Sequence, residues 1–374
     1  MKINIAGDFN LENRVSIQID KGISILEDDF AKFWFSTDYR IANLESPITR
    51  SKNHIRKVGR HIKGELTNHH NLKQLGVNYF SLANNHIMDF GIEGLHETIE
   101  NLNTAEIGYF GIISNNKKYR YKILEKNDLK IAIGSFSNKE FSLHSDFNGN
   151  GAIAIDVIEI TELLQELKSQ VNHIVLILHT GFSRNPLPSP NLREMCRYLI
   201  RQGAALVLCQ HSHTIGAFEY YNNGFISYGQ GHFAFDLYRE NSDWNLGYTV
   251  KANFRKSSFE VDVVGHKQFD NNTTIRLLTK NEQELFNNNL SRYNTILLDD
   301  DLFKQYYSDY VYKHSKTYFS ELFLPKNKLF RKILRLLPYD RLISNESKMK
   351  LLNYLRNEEH NEIMQHLINI KLQK

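Results

Sequence analysis

Polar residues of the kinds that bind metals follow the ends of predicted β-strands, and this pattern constrains the fold more than any other. Short apolar runs rich in β-branched and aromatic residues recur at positions 3–6, 39–42, 77–82, 131–136, 174–178 and 205–209. Apolar residues at helical spacing occupy 92–102 and 192–200, between some of these runs. The succession of strand, helix and strand predicts an α/β core with crossover connections.

The candidate ligands stand at or just past the carboxyl ends of five of these runs. They are Asp8 after the first, Glu45 after the second, Asn84, Asn85 and His86 after the third, His179 after 174–178, and His211 and His213 after 205–209. Because open α/β sheets bind ligands outside the carboxyl ends of their strands, we expect these side chains at one edge. Imidazole, carboxylate and amide groups without thiolate suit zinc, manganese or iron. The sequence therefore predicts one or two divalent ions, with an acidic residue that could bridge two.

Each candidate taken alone also has a plain structural interpretation. Asp8 is of a type that often serves as a turn residue or a helix cap. Asn84 to His86 could form a strand-to-helix turn that caps the next helix, and His211 and His213 could be surface or hydrogen-bonded core histidines. Their shared position at strand ends is what favours a binding site.

The second half of the chain has a different pattern. Strand candidates follow one another closely at 224–228, 246–254, 259–264 and 273–278, which predicts a second, antiparallel sheet. From residue 282 onward, Leu, Phe and Tyr recur at helical spacing among polar residues. We therefore predict a main domain at 1–280 and a helical C-terminal extension at 281–374.

Charge and cysteine content exclude several classes of protein. The 374 residues carry a net charge of only +4, and residues 325–374 hold eleven Lys and Arg against five Asp and Glu, so the basic excess belongs to the tail. Cys196 and Cys209 are the only cysteines, too few for a thiolate zinc site or a disulfide framework. The apolar run near the start is too short for a signal peptide, and no run reaches the roughly 18 residues of a membrane span. We expect a cytoplasmic protein.

The tail contains a basic amphipathic pattern at 326–337. Five cations alternate there with apolar residues, and the apolar residues fall on one helical face: the cations are Lys326, Lys328, Arg331, Lys332 and Arg335. This face could pack on the main domain, with the cations solvated. Alternatively, the helix could lie on an anionic membrane surface, which would place the protein at the inner face of the membrane.

The order of the motifs resembles a known family. GDF at 7–9, ANLESPIT at 42–49, LANNHIMDFGIEGL at 82–95, LHTG at 178–181, QHSHT at 210–214 and ISYGQGHFAFD at 226–236 resemble the CapA family, which is linked to capsule and poly-γ-glutamate production. That family is similar to the calcineurin-like metallophosphoesterases. The resemblance covers roughly the first 240 residues. It implies an α/β fold in which a two-sheet sandwich is flanked by helices, here with a helical C-terminal extension.

The resemblance also implies roles for individual residues. Asp8 and His213 would ligate a first metal and Glu45 would bridge. Asn85, His179 and His211 would serve a second metal. His86 would act on the leaving group or on transition-state charge, and Asp89 would orient His86 through a hydrogen bond.

The sequence departs from the family pattern in three places. Asn10 stands where the phosphoesterases have a histidine, so we expect the first metal to be held weakly. Cys209 and Gln210 stand where the family has Gly-His. His232 replaces a common asparagine and is either an extra ligand or base, or a hydrogen-bonded histidine in a turn. Asn10, Asn84 and His232 are therefore additional candidates for the site.

The leading functional interpretation is a metal-dependent hydrolase of the phosphoester type. Its substrate would be a small or polymeric anion linked to capsule, cell-surface polysaccharide or polyglutamate biosynthesis. The alternative is a non-catalytic accessory subunit of a surface-polymer synthesis complex, in which the site binds a metal or an anion. A third interpretation, which rests on the basic tail, is a nucleic-acid enzyme. We do not favour it and expect no nucleic-acid partner.

Overall fold

A computed structural model describes residues 1–57, 59–237 and 243–323, together with Leu329, Lys332 and Lys348. The chain divides into two units, Met1–Asp300 and Asp301–Lys374. The amphipathic pattern predicted at 326–337 lies outside the described residues, apart from Leu329 and Lys332. The domain boundary placed after residue 280 stays a prediction.

The strands fall close to the predicted apolar runs. The first part of the chain contains β1 Lys2–Phe9, β2 Tyr39–Leu44, β3 Tyr79–Ser81, β4 Gly108–Phe110, β5 Ile112–Ser114, β6 Lys117–Tyr119, β7 Tyr121–Lys126, β8 Leu129–Ser137 and β9 Gly151–Ala152. The later part contains β10 His173–His179, β11 Leu206–Gln210, β12 Phe218–Tyr221, β13 Gly224–Ser227, β14 His232–Ala234, β15 Leu246–Phe254, β16 Phe259–Gln268 and β17 Ile275–Leu277.

Some of the helices begin at a residue whose side chain caps the first turn. They are α1 Arg14–Asp20, α2 Asp28–Trp34, α3 Gly91–Thr104, α4 Val157–Leu167, α5 Pro190–Arg201, α6 Lys280–Leu298 and α7 Asp300–Phe323, with 3₁₀ turns at His69–Leu75 and His144–Phe147. Ser189 caps α5 immediately before Pro190, and Thr279 forms a capping box with Glu282 at the start of α6. The helical extension predicted from the spacing is therefore present as α6 and α7 over its described part.

The larger sheet is mixed. Among the described residues its strand order is β17-β16-β15-β1-β2-β3-β4, with β14 pairing with β1. The strands β1 to β4 run parallel, whereas β15, β16 and β17 extend the sheet from β1 in antiparallel fashion. These last three strands were predicted to form a separate sheet, and that prediction is wrong, because β15 pairs with the first part of β1, from Lys2 to Ile5.

The second large sheet has the order β12-β13-β11-β10-β8-β7, and a small sheet has the order β6-β5-β9. Residues 224–227, predicted in an antiparallel sheet, instead form β13, which pairs in parallel with β11 and antiparallel with β12. Ile3, Ile5 and Ile41 of the larger sheet share one buried cluster with Val175 and Leu208 of the second sheet. The two sheets therefore pack face to face, with β10, β11, β13 and β8 parallel.

Helices cover the outer faces of this sandwich. Trp34 of α2 and Leu95 of α3 lie in a second buried cluster with Phe9 and Phe80 of the larger sheet. The indole nitrogen of Trp34 donates a hydrogen bond to the Leu75 carbonyl at 2.8 Å, which satisfies this buried polar group. On the other side α5 packs on β11 and β13. The α/β class with two main sheets and flanking helices is confirmed. No helix among the described residues combines the length and apolar character needed to cross a membrane.

Candidate metal centre

The candidate ligands come from both sheets and meet at one end of the sandwich. Asp8 lies near the end of β1, and Glu45 follows β2, where its backbone N–H donates to the Phe9 carbonyl at 2.9 Å. His179 is the last residue of β10, and His211 follows β11 directly. We expected these residues at the edge of one sheet. They instead lie at the ends of parallel strands from two facing sheets.

Two ligand groups overlap at Glu45. One group is formed by Asp8, Glu45 and His213 and the other by Glu45, His179 and His211, and the ligand atoms within each group lie within 4.8 Å of one another. Glu45 Oε1 is 3.6 Å from His179 Nε2 and 3.7 Å from His213 Nε2. The same carboxylate therefore stands between two sets of side chains that could each hold an ion.

The environment of Glu45 fits a cation. Its side chain is fully buried, and neither carboxylate oxygen has a hydrogen-bond partner among the described residues. Burial, followed by the nearby charge of Asp8, raises the pKa of Glu45 well above its usual value. An unpaired buried carboxylate is costly, so this position suits a positive ion.

Asp8 and its neighbours form a dense polar cluster. The Asp8 carboxylate accepts a hydrogen bond from Asn43 Nδ2 at 2.8 Å and one from the backbone N–H of His211 at 3.3 Å. Burial raises the pKa of Asp8 to about 7. Burial also holds the pKa values of His179 and His213 well below their usual value. These imidazoles are therefore neutral, which is the form that binds metals.

Asn85 lies against the second ligand group. Its Oδ1 is 3.0 Å from His179 Nε2, and its Nδ2 donates to Glu140 Oε2 at 3.0 Å. Glu140 follows β8, and its Oε1 is 3.7 Å from His211 Nε2. The structure therefore brings Asn85 next to His179 and adds Glu140, which no sequence pattern marked.

His86 is held by a carboxylate and a lysine. His86 Nδ1 lies 2.7 Å from Asp89 Oδ2, as the predicted orienting role of Asp89 requires. Lys57 Nζ donates to Asp89 Oδ1 and lies 3.0 Å from His86 Nδ1, and the Lys57 side chain is only 3% exposed. The backbone N–H of Ile62 donates to Asp89 Oδ2 at 2.8 Å. Lys57 is thus a further member of this constellation that sequence reasoning missed.

Two of the additional candidates have other contacts. Asn84 donates to the Leu44 carbonyl at 2.7 Å and accepts from the His86 N–H at 3.1 Å, so it braces the strand ends. The Asn10 amide donates to Glu12 Oε2 at 3.4 Å, and its Oδ1 has no partner among the described residues.

His232 contacts a ligand from behind. Its Nε2 is 2.9 Å from His213 Nδ1, and burial lowers the pKa of His232 to about 3. The structure therefore favours the hydrogen-bonded alternative for His232.

The loop that carries His211 and His213 has unusual backbone geometry. Their φ angles are 91° and 54°, in the left-handed region that residues other than glycine seldom adopt. Such conformations cost about 1–3 kcal/mol each and persist where the surrounding structure enforces them. The loop after β11 therefore adopts a costly backbone conformation, and in that conformation both imidazoles lie close to the Glu45 carboxylate.

A cavity of about 330 Å³ opens beside these groups. Its walls include Lys57, His86, His213, Arg184 and Trp244. The Arg184 guanidinium lies 5.7 Å from the centre of the Trp244 ring, so a cation and an aromatic face line the same wall. The cavity could therefore receive an anionic molecule next to both His86 and the ligand groups.

The chain matches proteins of capsule biosynthesis. A family model described as "Bacterial capsule synthesis protein PGA_cap" matches residues 2–237. The chain is 28% identical over 210 residues to the PGA biosynthesis protein CapA of Bacillus subtilis (strain 168), with 54% of each protein covered. It is 23% identical over 246 residues to the capsule biosynthesis protein CapA of Bacillus anthracis, with 63% of this chain and 60% of the relative covered. The matched part thus spans little more than half the length of these relatives.

Solved structures show a weaker likeness. A putative 5′-nucleotidase from Staphylococcus aureus aligns at 13% identity and a TM-score of 0.45, covering 77% of this chain and 58% of that one. The calcineurin-like phosphoesterase YfkN from Bacillus subtilis aligns at 12% identity and a TM-score of 0.38, covering 78% and 98%. At these TM-scores the likeness carries no argument about the site. The match over residues 2–237, which contains all the candidate ligands, shows that this chain belongs to the PGA_cap family of bacterial capsule synthesis proteins, the CapA family.

Proposed function

We propose that the protein is a metal-dependent hydrolase of the phosphoester type that acts on an anionic substrate in surface-polymer biosynthesis. The observation that carries the proposal is the sharing of Glu45 by two ligand groups, with both carboxylate oxygens unpartnered. Manganese, zinc or iron would suit the imidazole and carboxylate donors. Asp8, Glu45 and His213 would hold one ion, and Glu45, Asn85, His179 and His211 would hold the other.

Divalent ions bound here would supply Lewis acidity toward a phosphoryl oxygen. The remaining work falls to the chain's own side chains. Asp89 engages Nδ1 of His86, which leaves Nε2 as the ring nitrogen available to a substrate in the cavity. A general acid or charge stabiliser at such a position typically contributes about 100- to 10,000-fold to the rate. Lys57 holds the other oxygen of the Asp89 carboxylate.

The class of substrate follows from the walls of the cavity. Lys57, Arg60 and Arg184 line the cavity together with one carboxylate, that of Glu140, so cations outnumber anions on its walls, which favours an anion. The names of the two relatives, a PGA biosynthesis protein and a capsule biosynthesis protein, support a substrate connected with surface polymers. We also propose a peripheral contact with anionic membrane through residues 326–337, which rests on the sequence pattern.

The test combines metal analysis with hydrolysis assays. The purified chain should bind one or two divalent ions and cleave a phosphomonoester or a phosphodiester probe, such as p-nitrophenyl phosphate or bis(p-nitrophenyl) phosphate. The double variant His211→Ala/His213→Ala should lower bound metal to near background, because each ligand group loses an imidazole. The matched control is His69→Ala/His70→Ala, two neighbouring histidines outside both groups, which should keep the parent's metal content.

Two results would redirect the proposal. Undiminished metal in the His211→Ala/His213→Ala variant would remove the site assignment. Metal binding that depends on these histidines, without hydrolysis of either probe, would favour the non-catalytic accessory subunit in which the site holds a metal or an anion.

A further inference from the structure

His232 occupies a rigid place directly beside the metal centre. It begins β14, which runs parallel to β1, and its Cα is in register with that of Asp8. The two strands approach so closely that a Cβ on Gly7 would lie 2.1 Å from the Gly231 carbonyl oxygen, so only glycine fits there. His266 Nε2 also lies 2.9 Å from the His232 carbonyl oxygen, which anchors the backbone. The ring of His232 is fully buried.

Both ring nitrogens of His232 have a partner. Nδ1 is 2.9 Å from the Trp244 carbonyl oxygen, and Nε2 is 2.9 Å from His213 Nδ1. The centres of the two imidazole rings are 5.0 Å apart and their planes differ by 23°. Because the two nitrogens are much closer than the two centres, they lie between the rings. The contact is therefore an in-plane hydrogen bond and not a stack.

These contacts determine where each proton lies. A carbonyl oxygen only accepts hydrogen bonds, so His232 Nδ1 carries a hydrogen. A neutral imidazole has a single N–H, so His232 Nε2 must then be an acceptor. Neutrality follows from burial, because the hydrogen-bond partners of this ring among the described residues are a carbonyl and another imidazole, and neither supplies the opposite charge that a buried cation needs. The hydrogen between the two rings therefore belongs to His213 Nδ1.

We propose that His232 is a positioning residue that fixes the tautomer of His213. With its hydrogen on Nδ1, His213 presents the lone pair of Nε2 toward Glu45, whose Oε1 is 3.7 Å away. Metal ligation requires an unprotonated nitrogen, and the partner of the other ring nitrogen selects which one is free. This inference rests on the proposed metal site, and it assigns to His232 a role that is neither ligand nor base.

The effect should be confined to one ligand group. His213 belongs only to the group with Asp8 and Glu45. In the other group, His179 Nδ1 faces the Asn43 amide at 3.2 Å and does not depend on His232. Removing the acceptor on His232 should therefore weaken one metal position and leave the other intact.

The first test needs neither metal nor substrate. Two-bond proton–nitrogen correlation spectra of the metal-free, ¹⁵N-labelled chain distinguish protonated from unprotonated imidazole nitrogens, and comparison with the His213→Ala variant assigns the signals. The expected result is a His213 ring protonated at Nδ1 and a His232 ring also protonated at Nδ1. A His213 ring protonated at Nε2 would overturn the proposal, whatever the protein is found to hydrolyse.

The second test uses three variants and equilibrium metal binding. His232→Phe keeps a ring but removes the acceptor, and it should weaken one of the metal positions by about 10- to 100-fold. His232→Gln can offer an amide oxygen to His213 Nδ1 and should restore most of the affinity. His266→Gln perturbs the backbone anchor of the same strand without touching the ring nitrogens of His232, and it should bind metal as the parent does.

Each outcome decides for or against the role. Equal losses in His232→Phe and His266→Gln would attribute the effect to packing of β14 and overturn the inference. Parent-like metal binding by His232→Phe would overturn it as well. Thermal unfolding of each variant identifies any that fails to fold, and in that case the tautomer measurement on the parent chain still decides.

Discussion

Glu45 should destabilise the protein without metal and stabilise it with metal. Glu45→Gln removes the charge and keeps the shape of a side chain that is fully buried and has no hydrogen-bond partner among the described residues. Glutamine also lacks a partner there and keeps the cost of a buried neutral polar group, but it removes the further cost of the carboxyl group, whose pKa burial raises well above its usual value. That further cost is on the order of 1–3 kcal/mol at neutral pH, because each unit by which a pKa is raised corresponds to about 1.4 kcal/mol. In the presence of a chelator, Glu45→Gln should therefore raise the free energy of unfolding by about 1–3 kcal/mol.

The same substitution should abolish the response to metal. An ion at a free concentration one hundred times its Kd adds about 2.7 kcal/mol to the free energy of unfolding per site. Because Glu45 belongs to both ligand groups, the variant should lose this gain at each of them. Urea unfolding of parent and variant, with chelator and with excess manganese, measures both effects as shifts of the midpoint.

Glu219→Gln provides the matched control. Glu219 is also buried, but Arg197 donates to its two carboxylate oxygens at 3.0 and 2.8 Å, and the Tyr228 hydroxyl donates at 2.8 Å. Loss of hydrogen bonds to a charged group costs about 1.5–3 kcal/mol, so this variant should be less stable and should keep its response to metal. If Glu45→Gln instead loses stability in chelator and still responds to metal, the reasoning about its unpartnered carboxylate is refuted.

Other changes separate the remaining roles. His86→Ala should reduce hydrolysis of the probes by about 100- to 10,000-fold with unchanged metal content, whereas loss of metal would make His86 a ligand. Lys57→Met should also keep the metal and reduce hydrolysis by a smaller factor, and parent-like rates would show that its contact with His86 has no catalytic effect. Arg276 holds the pKa of Glu282 well below its usual value, so this stabilisation is present above the unfolded pKa of about 4.3 and is lost as the pH falls through the lower folded value. Glu282→Gln should therefore lower stability at neutral pH, by a margin that shrinks on acidification, and a margin independent of pH in urea unfolding would contradict this. Deletion of residues 325–374 should abolish cosedimentation with anionic vesicles at low salt, and equal recovery of the intact chain in the supernatant with anionic and neutral vesicles would leave only the packing reading.

The positions of the ligands were predictable because strand periodicity is local. The run at 174–178 and the polar residue that ends it are visible in the sequence, and the structure has β10 ending at His179. Strand partners were less predictable. Residues 246–268 carry a clear antiparallel pattern, but their attachment to β1 depends on a pairing between the two ends of the main domain. No pattern within either segment indicates which distant strand it pairs with.

The residues that were missed reach the site through tertiary contacts. Lys57 belongs to a charged segment without periodicity, and it meets Asp89 only because the loop folds back over the start of α3. Glu140 lies in the loop after β8 and reaches the site through the hydrogen bond that it accepts from Asn85. Asn43 is a polar residue inside a buried strand, which is a usable signal, and the structure shows it bound to Asp8. Of the adjacent Asn84 and Asn85, only turn geometry decides which one faces His179.

Because the candidate ligands come from both sheets, the site is complete only when the two sheets have packed together. Each ligand group combines Glu45 from the larger sheet with at least one histidine from the second sheet. Neither half of the sandwich, folded alone, holds a full set. If the proposed metal site is right, an ion could not template one half before the other, and tight binding would mark only those molecules in which both sheets have docked in register. Metal uptake during refolding should accordingly lag behind the formation of secondary structure and coincide with the closure of the interface between the sheets.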